Sequence, residues 1–301
     1  MFELAHISDP HLGPLPEPTN LQLANKRIFG YVNWRRNRKG VMTSSVLDNL
    51  LEDLKAAKPD HLAITGDLVN LALPQEILNA QKWLRSLGPA DWISVVQGNH
   101  DAYVPGSRLK AEQAWLDYMA TDKHLADQIS FPTLRVRDQV ALIGVNSARA
   151  TMPFMATGYF LAKQAHKLAE QLDHAKSLGQ FRVVMIHHPP APKATYWHKR
   201  LIGASLFRRV IQQHGAELIL HGHTHLATRT TIKGPDRSVP VICVPSASQS
   251  PGGHKPSSAY NLFRISGEAG DWNCHMTQRG FSTPGEPIKD LGHHQLLGKE
   301  N

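Results

Sequence analysis

Five polar clusters stand directly after short apolar runs of the chain. In chain order they are Asp9-Pro10-His11, Gly66-Asp67, Gly98-Asn99-His100-Asp101, His187-His188 and Gly222-His223-Thr224-His225. Each cluster alone is typical of an ordinary turn, but together they supply nitrogen and oxygen donors and no sulfur, which favours manganese, iron, zinc or cobalt. Two such divalent ions about 3.5 to 4 Å apart can activate a shared water as hydroxide and clamp the oxygens of a displacement at phosphorus. The clusters therefore predict a site that could hold metal ions, and a pair of ions there would suit phosphate ester chemistry.

The runs before these clusters predict the strands that position them. Strands are expected over 2–8, 61–65, 92–96, 140–145, 182–186 and 218–221. Amphipathic patterns predict helices over 42–58, 74–87, 109–119, 160–178 and 204–214, with Gly179 ending the fourth. Alternating strands and helices are typical of a layered α/β fold. In such a sheet the carboxyl ends of the strands line one crevice, so the five clusters should form a single site.

The pattern changes after residue 226. Runs over 226–232, 239–244, 259–265 and 271–278 alternate with turn signals, which predicts antiparallel strands that complete a second sheet. We expect one domain over residues 1–279, built as a two-sheet sandwich flanked by helices. Residues 280–301 lack periodicity and are expected to form a poorly ordered tail.

Composition excludes several classes of protein. The 301 residues are 41% hydrophobic, which suits a globular protein, and the net charge of +8 suits a partner that carries phosphate, a nucleic acid or an anionic membrane surface without choosing among them. No apolar run approaches the roughly 18 residues of a transmembrane helix, and the first residues lack a secretory signal, so a cytoplasmic location is expected. Cys243 and Cys274 have no paired spacing and are expected to be buried or inert thiols.

The five clusters resemble the pattern of the calcineurin-like dinuclear metallophosphoesterases, D-x-H, G-D, G-N-H-[DE], H and G-H-x-H. The resemblance covers about residues 1 to 265 and implies an αββα sandwich. It also implies that one ion is held by Asp9, His11 and His225, the other by Asn99, His187 and His223, with Asp67 bridging both. His187 rather than His188 is assigned because members of that family place this ligand two residues before a proline, and Pro189 stands at that position here.

The same resemblance places His100 outside the ligand set. We expect His100 to deliver a proton to the leaving oxygen or to stabilise developing charge, with Asp101 orienting it through its other ring nitrogen. The alternative is a structural histidine in a turn.

A basic and aromatic segment over residues 26–39 follows the first cluster, with six cations and three aromatic side chains. One interpretation is a cap whose arginines bind the substrate phosphate or an anionic membrane, with Arg35, Arg36 and Arg38 as the candidates. The other is a solvated helix that covers the core with Ile28, Phe29 and Val32. A second candidate wall of the site is Tyr196-Trp197-His198, but simple packing is the favoured interpretation of these residues.

The resemblance implies a hydrolase that acts on a small phosphate ester, with a phosphodiester, including cyclic nucleotides, as the expected substrate. One alternative is hydrolysis of the pyrophosphate of a nucleotide-linked lipid at a membrane surface. Nuclease or monoesterase activity comes next. A binding protein that has kept the family fold without catalysis is the alternative from another class. The sequence leaves the oligomeric state open.

Overall fold

The computed structural model describes residues 1–37, 44–122, 129–283 and 285–298. Its strands are β1 (Phe2–Ile7), β2 (His61–Ile64), β3 (Ile93–Val95), β4 (Thr133–Arg137), β5 (Val140–Gly144), β6 (Gly158–Tyr159), β7 (Phe181–Met185), β8 (Leu201–Ile202), β9 (Leu218–His221), β10 (Arg229–Lys233), β11 (Ser238–Cys243), β12 (Ala259–Ser266), β13 (Asn273–Gly280) and β14 (Lys289–Leu297). Its helices are α1 (Asn20–Leu23), α2 (Arg27–Asn37), α3 (Ser44–Ala56), α4 (Pro74–Leu87), α5 (Ser107–Ala114), α6 (Leu116–Met119), α7 (Ala162–Ser177) and α8 (Ala204–His214).

Two six-stranded sheets build the molecule, in the orders β14-β13-β12-β1-β2-β3 and β10-β11-β9-β7-β5-β4. Strands β1, β2 and β3 are parallel to one another, and so are β5, β7, β9 and β11. Their carboxyl ends therefore present loops at shared edges of the two sheets. The prediction of an α/β sandwich with two mixed sheets flanked by helices is confirmed.

Apolar side chains fill three layers of core. Between the sheets, Leu4 and Phe263 of one sheet and Phe181 and Val183 of the other belong to one buried cluster. Two further clusters cover the outer faces, one including residues of α3 and α4 and the other residues of α7 and α8. Strands β1, β2, β3, β5, β7 and β9 are buried on both faces, which explains why they read as continuous apolar runs rather than as alternating ones.

Local signals fix the helix ends. Pro74 begins α4, and the Glu76 carboxylate accepts the backbone N–H groups of Asn70 and Leu73 at 2.8 and 3.0 Å. Gly179 follows α7 with a φ of +67°, as expected of a glycine that ends a helix. The helix predicted over 109–119 is instead two helices that meet at Trp115. That side chain is fully buried, and its indole N–H donates to the Ile77 carbonyl at 3.1 Å.

Two predictions about the last third of the chain are wrong. The strands after residue 226 do not share one sheet, because β10 and β11 extend the β9 sheet whereas β12 and β13 join β1. The tail expected over 280–301 contains β14, which pairs antiparallel with β13. Only Leu297 of the nine residues of β14 is buried, so backbone pairing rather than an apolar pattern holds most of the strand. The residue types of β14 give no sign of this backbone pairing in the sequence.

Both cysteines are buried, and burial raises the pKa of each thiol to about 12, in agreement with inert thiols. Among the described residues, no helix has the length and apolar character needed to cross a membrane.

Candidate metal centre

The structure brings the predicted ligands together at the carboxyl ends of β1, β2, β3, β7 and β9. Potential ligand atoms of Asp9, His11 and His225 lie within 4.8 Å of one another, and so do those of Asp67, His187 and His223. All six residues are buried. Asn99 joins the second group, with its Oδ1 3.3 Å from His187 Nε2.

The backbone at these positions is strained. Five of the predicted ligands adopt a positive φ, with values of 40° to 70°, namely Asp9, His11, Asp67, His223 and His225. Residues other than glycine rarely adopt this conformation, and the cost of about 1–3 kcal/mol each persists where the structure serves a function. The strain therefore marks this edge as the functional one.

Glycines of the motifs make room for the carboxylates. A Cβ on Gly98 would overlap the Asp67 carboxylate, and a Cβ on Gly222 would overlap both Ser8 Oγ and the Asp9 carboxylate. The glycines in the G-N-H and G-H-x-H motifs thus allow strand-end loops to approach the ligands closely.

The histidine rings are held so that one nitrogen points into the site. His11 Nδ1 donates to the Val69 carbonyl at 3.1 Å, and His187 Nδ1 donates to the Thr65 carbonyl at 2.6 Å. A carbonyl only accepts, so each Nδ1 carries a proton, and in the neutral imidazole each Nε2 keeps the lone pair that a metal ion would bind. A backbone carbonyl behind the imidazole is the usual support of a metal-binding histidine.

Two buried atoms fit a metal ligand role most directly. His223 Nε2 has no hydrogen-bond partner among the described residues, and Asp9 Oδ1 faces the Nε2 of another candidate ligand, His225, at 3.1 Å. Leaving a buried polar atom unsatisfied costs about 1–3 kcal/mol, so such atoms indicate a bound ligand. Burial, together with the nearby rings of His188 and His187, holds the pKa of His223 well below its ordinary value. His223 is therefore neutral, as a ligand must be.

Asp67 lies between the two groups. Its Oδ1 accepts the backbone N–H of His100 at 2.7 Å. Its Oδ2 lies 3.4 Å from His187 Nε2 on one side and 3.9 Å from His11 Nε2 on the other. A carboxylate in this position can serve both groups, which agrees with the bridging role that the resemblance implies.

The buried carboxylates of the site favour the binding of positive charge. Burial raises the pKa of the Asp67 carboxyl, but His187, His100 and His11 overcome this and hold the pKa well below its ordinary value. Burial would lower the pKa of His187, yet Asp67 and Asp9 raise it to about 9. The two buried carboxylates thus stabilise a proton on the imidazole of His187, and divalent cations would stabilise the carboxylate charges in the same way. The residues fit a pair of metal ions.

The expected role of Asp101 is wrong. His100 Nδ1 donates to the Asn70 carbonyl at 2.5 Å, not to Asp101. Asp101 instead accepts four backbone N–H groups at 2.8 to 3.2 Å, from Gly98, Asp67, Leu68 and Val69. Burial and the charge of Asp67 raise the pKa of Asp101 to about 8, whereas the four donors favour its carboxylate, and cations beside Asp67 would offset the repulsion. Asp101 is therefore the anchor of the loop that carries Asp67.

His188 lies behind the site as a structural residue. Its Nδ1 is 2.8 Å from Ser147 Oγ and its Nε2 is 3.2 Å from the Ala156 carbonyl, so protein atoms engage both nitrogens. This agrees with the choice of His187 as the ligand.

A cleft of about 470 Å³ opens onto the metal centre, and His100 lines it. Its walls include three lysines from separate parts of the chain, Lys26, Lys199 and Lys255. A second cavity of about 530 Å³ lies at the amino ends of β7 and β9, away from every predicted ligand, and its Arg182 and Glu217 pair with each other at 2.8 Å. The cleft is therefore the candidate substrate site.

The arginines expected to bind substrate do not line this cleft. Arg35 lies over the Tyr31 ring at 5.9 Å, and Arg36 lies by a neighbouring apolar groove. Arg38 is outside the described residues. Lys26, just before α2, and Phe29, Gly30 and Asn33 of α2 line the cleft instead.

Two expectations of packing are also wrong. Tyr196 and Trp197 are exposed to 74% and 66%, while the neighbouring His198 lines the cleft. The apolar residues of α2 that were expected to cover the core face solvent, whereas Tyr31 and Trp34 pack against it.

Sequence reasoning missed part of the cleft wall. Tyr103, Phe154, Lys199 and Lys255 carried no recognisable spacing. Phe154 had an indirect signal, since its loop follows β5, another parallel strand that ends at the same edge.

Comparison with known families identifies the class. The chain belongs to the calcineurin-like phosphoesterases, because it matches the family described as "Calcineurin-like phosphoesterase" over residues 2–227. The resemblance seen in the motifs is thereby confirmed. The chain is a hydrolase of the phosphoesterase type, with clustered candidates for metal binding.

Individual relatives are distant. A probable cyclic nucleotide phosphodiesterase of Vesicomyosocius okutanii subsp. Calyptogena okutanii (strain HA) is 24% identical over 212 residues, covering 69% of this chain and 79% of that protein. A dimetal phosphatase from Danio rerio superimposes with a TM-score of 0.60 at 12% identity, covering 99% of each chain. Purple acid phosphatase PPD1 from yellow lupin, Lupinus luteus, gives a TM-score of 0.59 at 11% identity, covering 96% of this chain and 52% of that one. The two structures share the fold.

Proposed function

We propose that this chain is a dinuclear metal-dependent phosphodiesterase. The observation that carries the proposal is the lining of the cleft. Four of the metal-binding candidates, Asp67, Asn99, His223 and His225, line it together with His100 and with the aromatic residues Phe29 and Phe154. A phosphodiester has two organic substituents, so one can leave beside His100 while the other rests against the aromatic wall. A monoester would leave that wall unused.

In the proposed site, Asp9, His11 and His225 hold one ion, Asn99, His187 and His223 hold the other, and Asp67 holds both. When bound, two divalent ions supply a nucleophile at neutral pH and neutralise charge on the phosphate. The remaining steps belong to the protein. The ring of His100, fixed by Asn70, protonates the leaving oxygen, and the lysines of the cleft attract and orient the anionic ester.

A pair of substrates with the same leaving group tests this proposal. Bis(p-nitrophenyl) phosphate and p-nitrophenyl phosphate release the same nitrophenol, so the ratio of their kcat/KM values with added manganese reports the preference for a diester. We expect the diester to be favoured by about tenfold or more, equivalent to 1.4 kcal/mol at the transition state. Asp67→Asn is the matched inactive control.

The same panel separates the alternatives. A 3′,5′-cyclic nucleotide tests the substrate named for the relative, and a nucleotide-linked lipid pyrophosphate tests the lipid alternative. Preference for the monoester would overturn the diesterase proposal. Absence of hydrolysis of every substrate by the metal-loaded protein would favour a non-catalytic binding protein.

A further inference from the structure

An apolar groove of about 360 Å³ opens beside the metal cleft, between α2 and the loop after β5. Its lining residues are Ile28, Phe29, Val32, Asn33, Arg36 and Phe154. Phe29, Asn33 and Phe154 line the cleft as well. The groove therefore adjoins the cleft that is proposed to bind the phosphate.

The groove exposes apolar side chains that a globular protein usually buries. Ile28, Phe29 and Val32 are exposed to 44%, 48% and 41%, and Phe154 to 78%. The three residues of α2 are spaced i, i+1 and i+4, so they share one face of the helix. The Phe29 and Phe154 rings meet with their centroids 5.1 Å apart. A contiguous exposed apolar surface at the mouth of a polar cleft marks a binding surface.

Polar contacts hold the two walls of the groove together. The Lys26 ammonium donates to Thr151 Oγ1 at 2.8 Å and to the Met155 carbonyl at 3.1 Å, and it lies over the Tyr103 ring at 4.7 Å. Phe154 has a φ of +64°, a conformation that strains a phenylalanine. The exposed ring is thus presented by a clamped and strained loop.

We propose that this groove binds an unbranched apolar chain of the substrate, so that the natural substrate is an amphiphilic phosphodiester. The inference rests on the proposed phosphodiesterase function. A chain attached to a phosphate in the cleft enters the groove directly, past Phe29 and Phe154. The groove follows α2 to Arg36, about 10 Å along the helix, which suits a chain of about six to eight carbons.

A homologous series of p-nitrophenyl alkyl phosphodiesters tests the proposal below the concentration at which they form micelles. With methyl, butyl and octyl esters the leaving group and the charge stay constant. A fully buried methylene is worth about fourfold and a half-buried one about twofold, so kcat/KM should rise about tenfold from methyl to butyl. It should rise further from butyl to octyl.

The matched variants alter only exposed residues. In Ile28→Gln/Val32→Gln, which keeps good helix formers, kcat/KM should lose its dependence on chain length, with the methyl ester within about twofold of wild type. The control is Leu78→Gln/Leu178→Gln, which replaces leucines exposed to 48% and 58% that line neither the cleft nor the groove. It should keep the full chain-length dependence.

The outcomes separate this inference from the proposed function. Hydrolysis of the methyl ester with equal rates for all chain lengths overturns the amphiphilic substrate and leaves the phosphodiesterase intact. Absence of hydrolysis of every ester in the series refutes the phosphodiesterase itself. If the rates are equal and the Gln variant also loses binding to anionic vesicles, or loses a dimer seen by sedimentation, the groove serves a membrane or a second copy instead.

Discussion

Substitution of Asp101 by asparagine separates its observed role from the one expected from sequence. The Oδ1 atom accepts the backbone N–H groups of Leu68 and Val69, and Oδ2 accepts those of Asp67 and Gly98. Asparagine keeps one oxygen and replaces the other by an NH₂ group that only donates. Two buried N–H groups therefore lose their acceptor and face a donor.

The loss of stability follows from the two N–H groups that lose their acceptor. A buried donor without an acceptor costs about 1–3 kcal/mol, so Asp101→Asn should lower the free energy of unfolding by about 2–6 kcal/mol. Native domains have only about 5–15 kcal/mol in total, so the loss is large. Urea unfolding of the metal-loaded protein measures it. The bound metal should fall as well, because the displaced amides carry Asp67.

Asp173→Asn is the matched control. Asp173 is 59% exposed and pairs with His214 at 2.9 Å, so its loss should cost less than about 1 kcal/mol. Our reasoning is refuted if Asp101→Asn unfolds like the wild type and its rate constants match those of His100→Ala. That result would restore Asp101 as the residue that orients His100.

Three further predictions concern other residues. His100→Ala should keep two metals per chain and lower kcat by about 10² to 10⁴, with a smaller loss for nitrophenol esters that need less protonation; metal bound less tightly would make His100 a ligand. Lys26→Met should raise KM for anionic esters and weaken the salt dependence of KM, whereas Arg35→Ala/Arg36→Ala should leave KM for the methyl ester unchanged. If the arginine variant raises KM and Lys26→Met does not, the arginines bind the substrate phosphate as first expected. Asp53 accepts from the Tyr260 hydroxyl and from Arg279, and although burial raises its pKa, these partners lower it overall. The stabilisation by ionised Asp53 is therefore present above pH about 4 and is lost as the pH falls through its lower native pKa. In Asp53→Asn the free energy of unfolding in urea should fall less steeply as the pH is lowered through this range, and the same steepness as in the wild type would contradict this.

The clustering of the candidate ligands could be predicted because its information is local. Each candidate ligand follows an apolar run, and parallel strands bring such positions to one edge whatever the rest of the chain does. Asp9 and His223 are 214 residues apart, yet the backbone N–H of His223 donates to Asp9 Oδ2 at 3.0 Å.

Roles that depend on three-dimensional neighbours could not be predicted in the same way. The partners of Asp101 are backbone amides, which leave no trace in residue types. Ile28, Phe29 and Val32 form a pattern that normally indicates a buried face, and only the packing of Tyr31 and Trp34 on the core shows that this face is turned outward. The choice of sheet by β12 depends on long-range pairing with β1.

Metal content per chain tests the central claim most directly, namely that seven residues hold two ions with Asp67 shared between them. Protein reconstituted with manganese should contain two ions per chain, and chelation should abolish hydrolysis. Asp67→Ala should lose both ions and the activity, whereas Asp173→Ala should keep both. An Asp67→Ala protein with two bound ions and the wild-type rate would contradict the account.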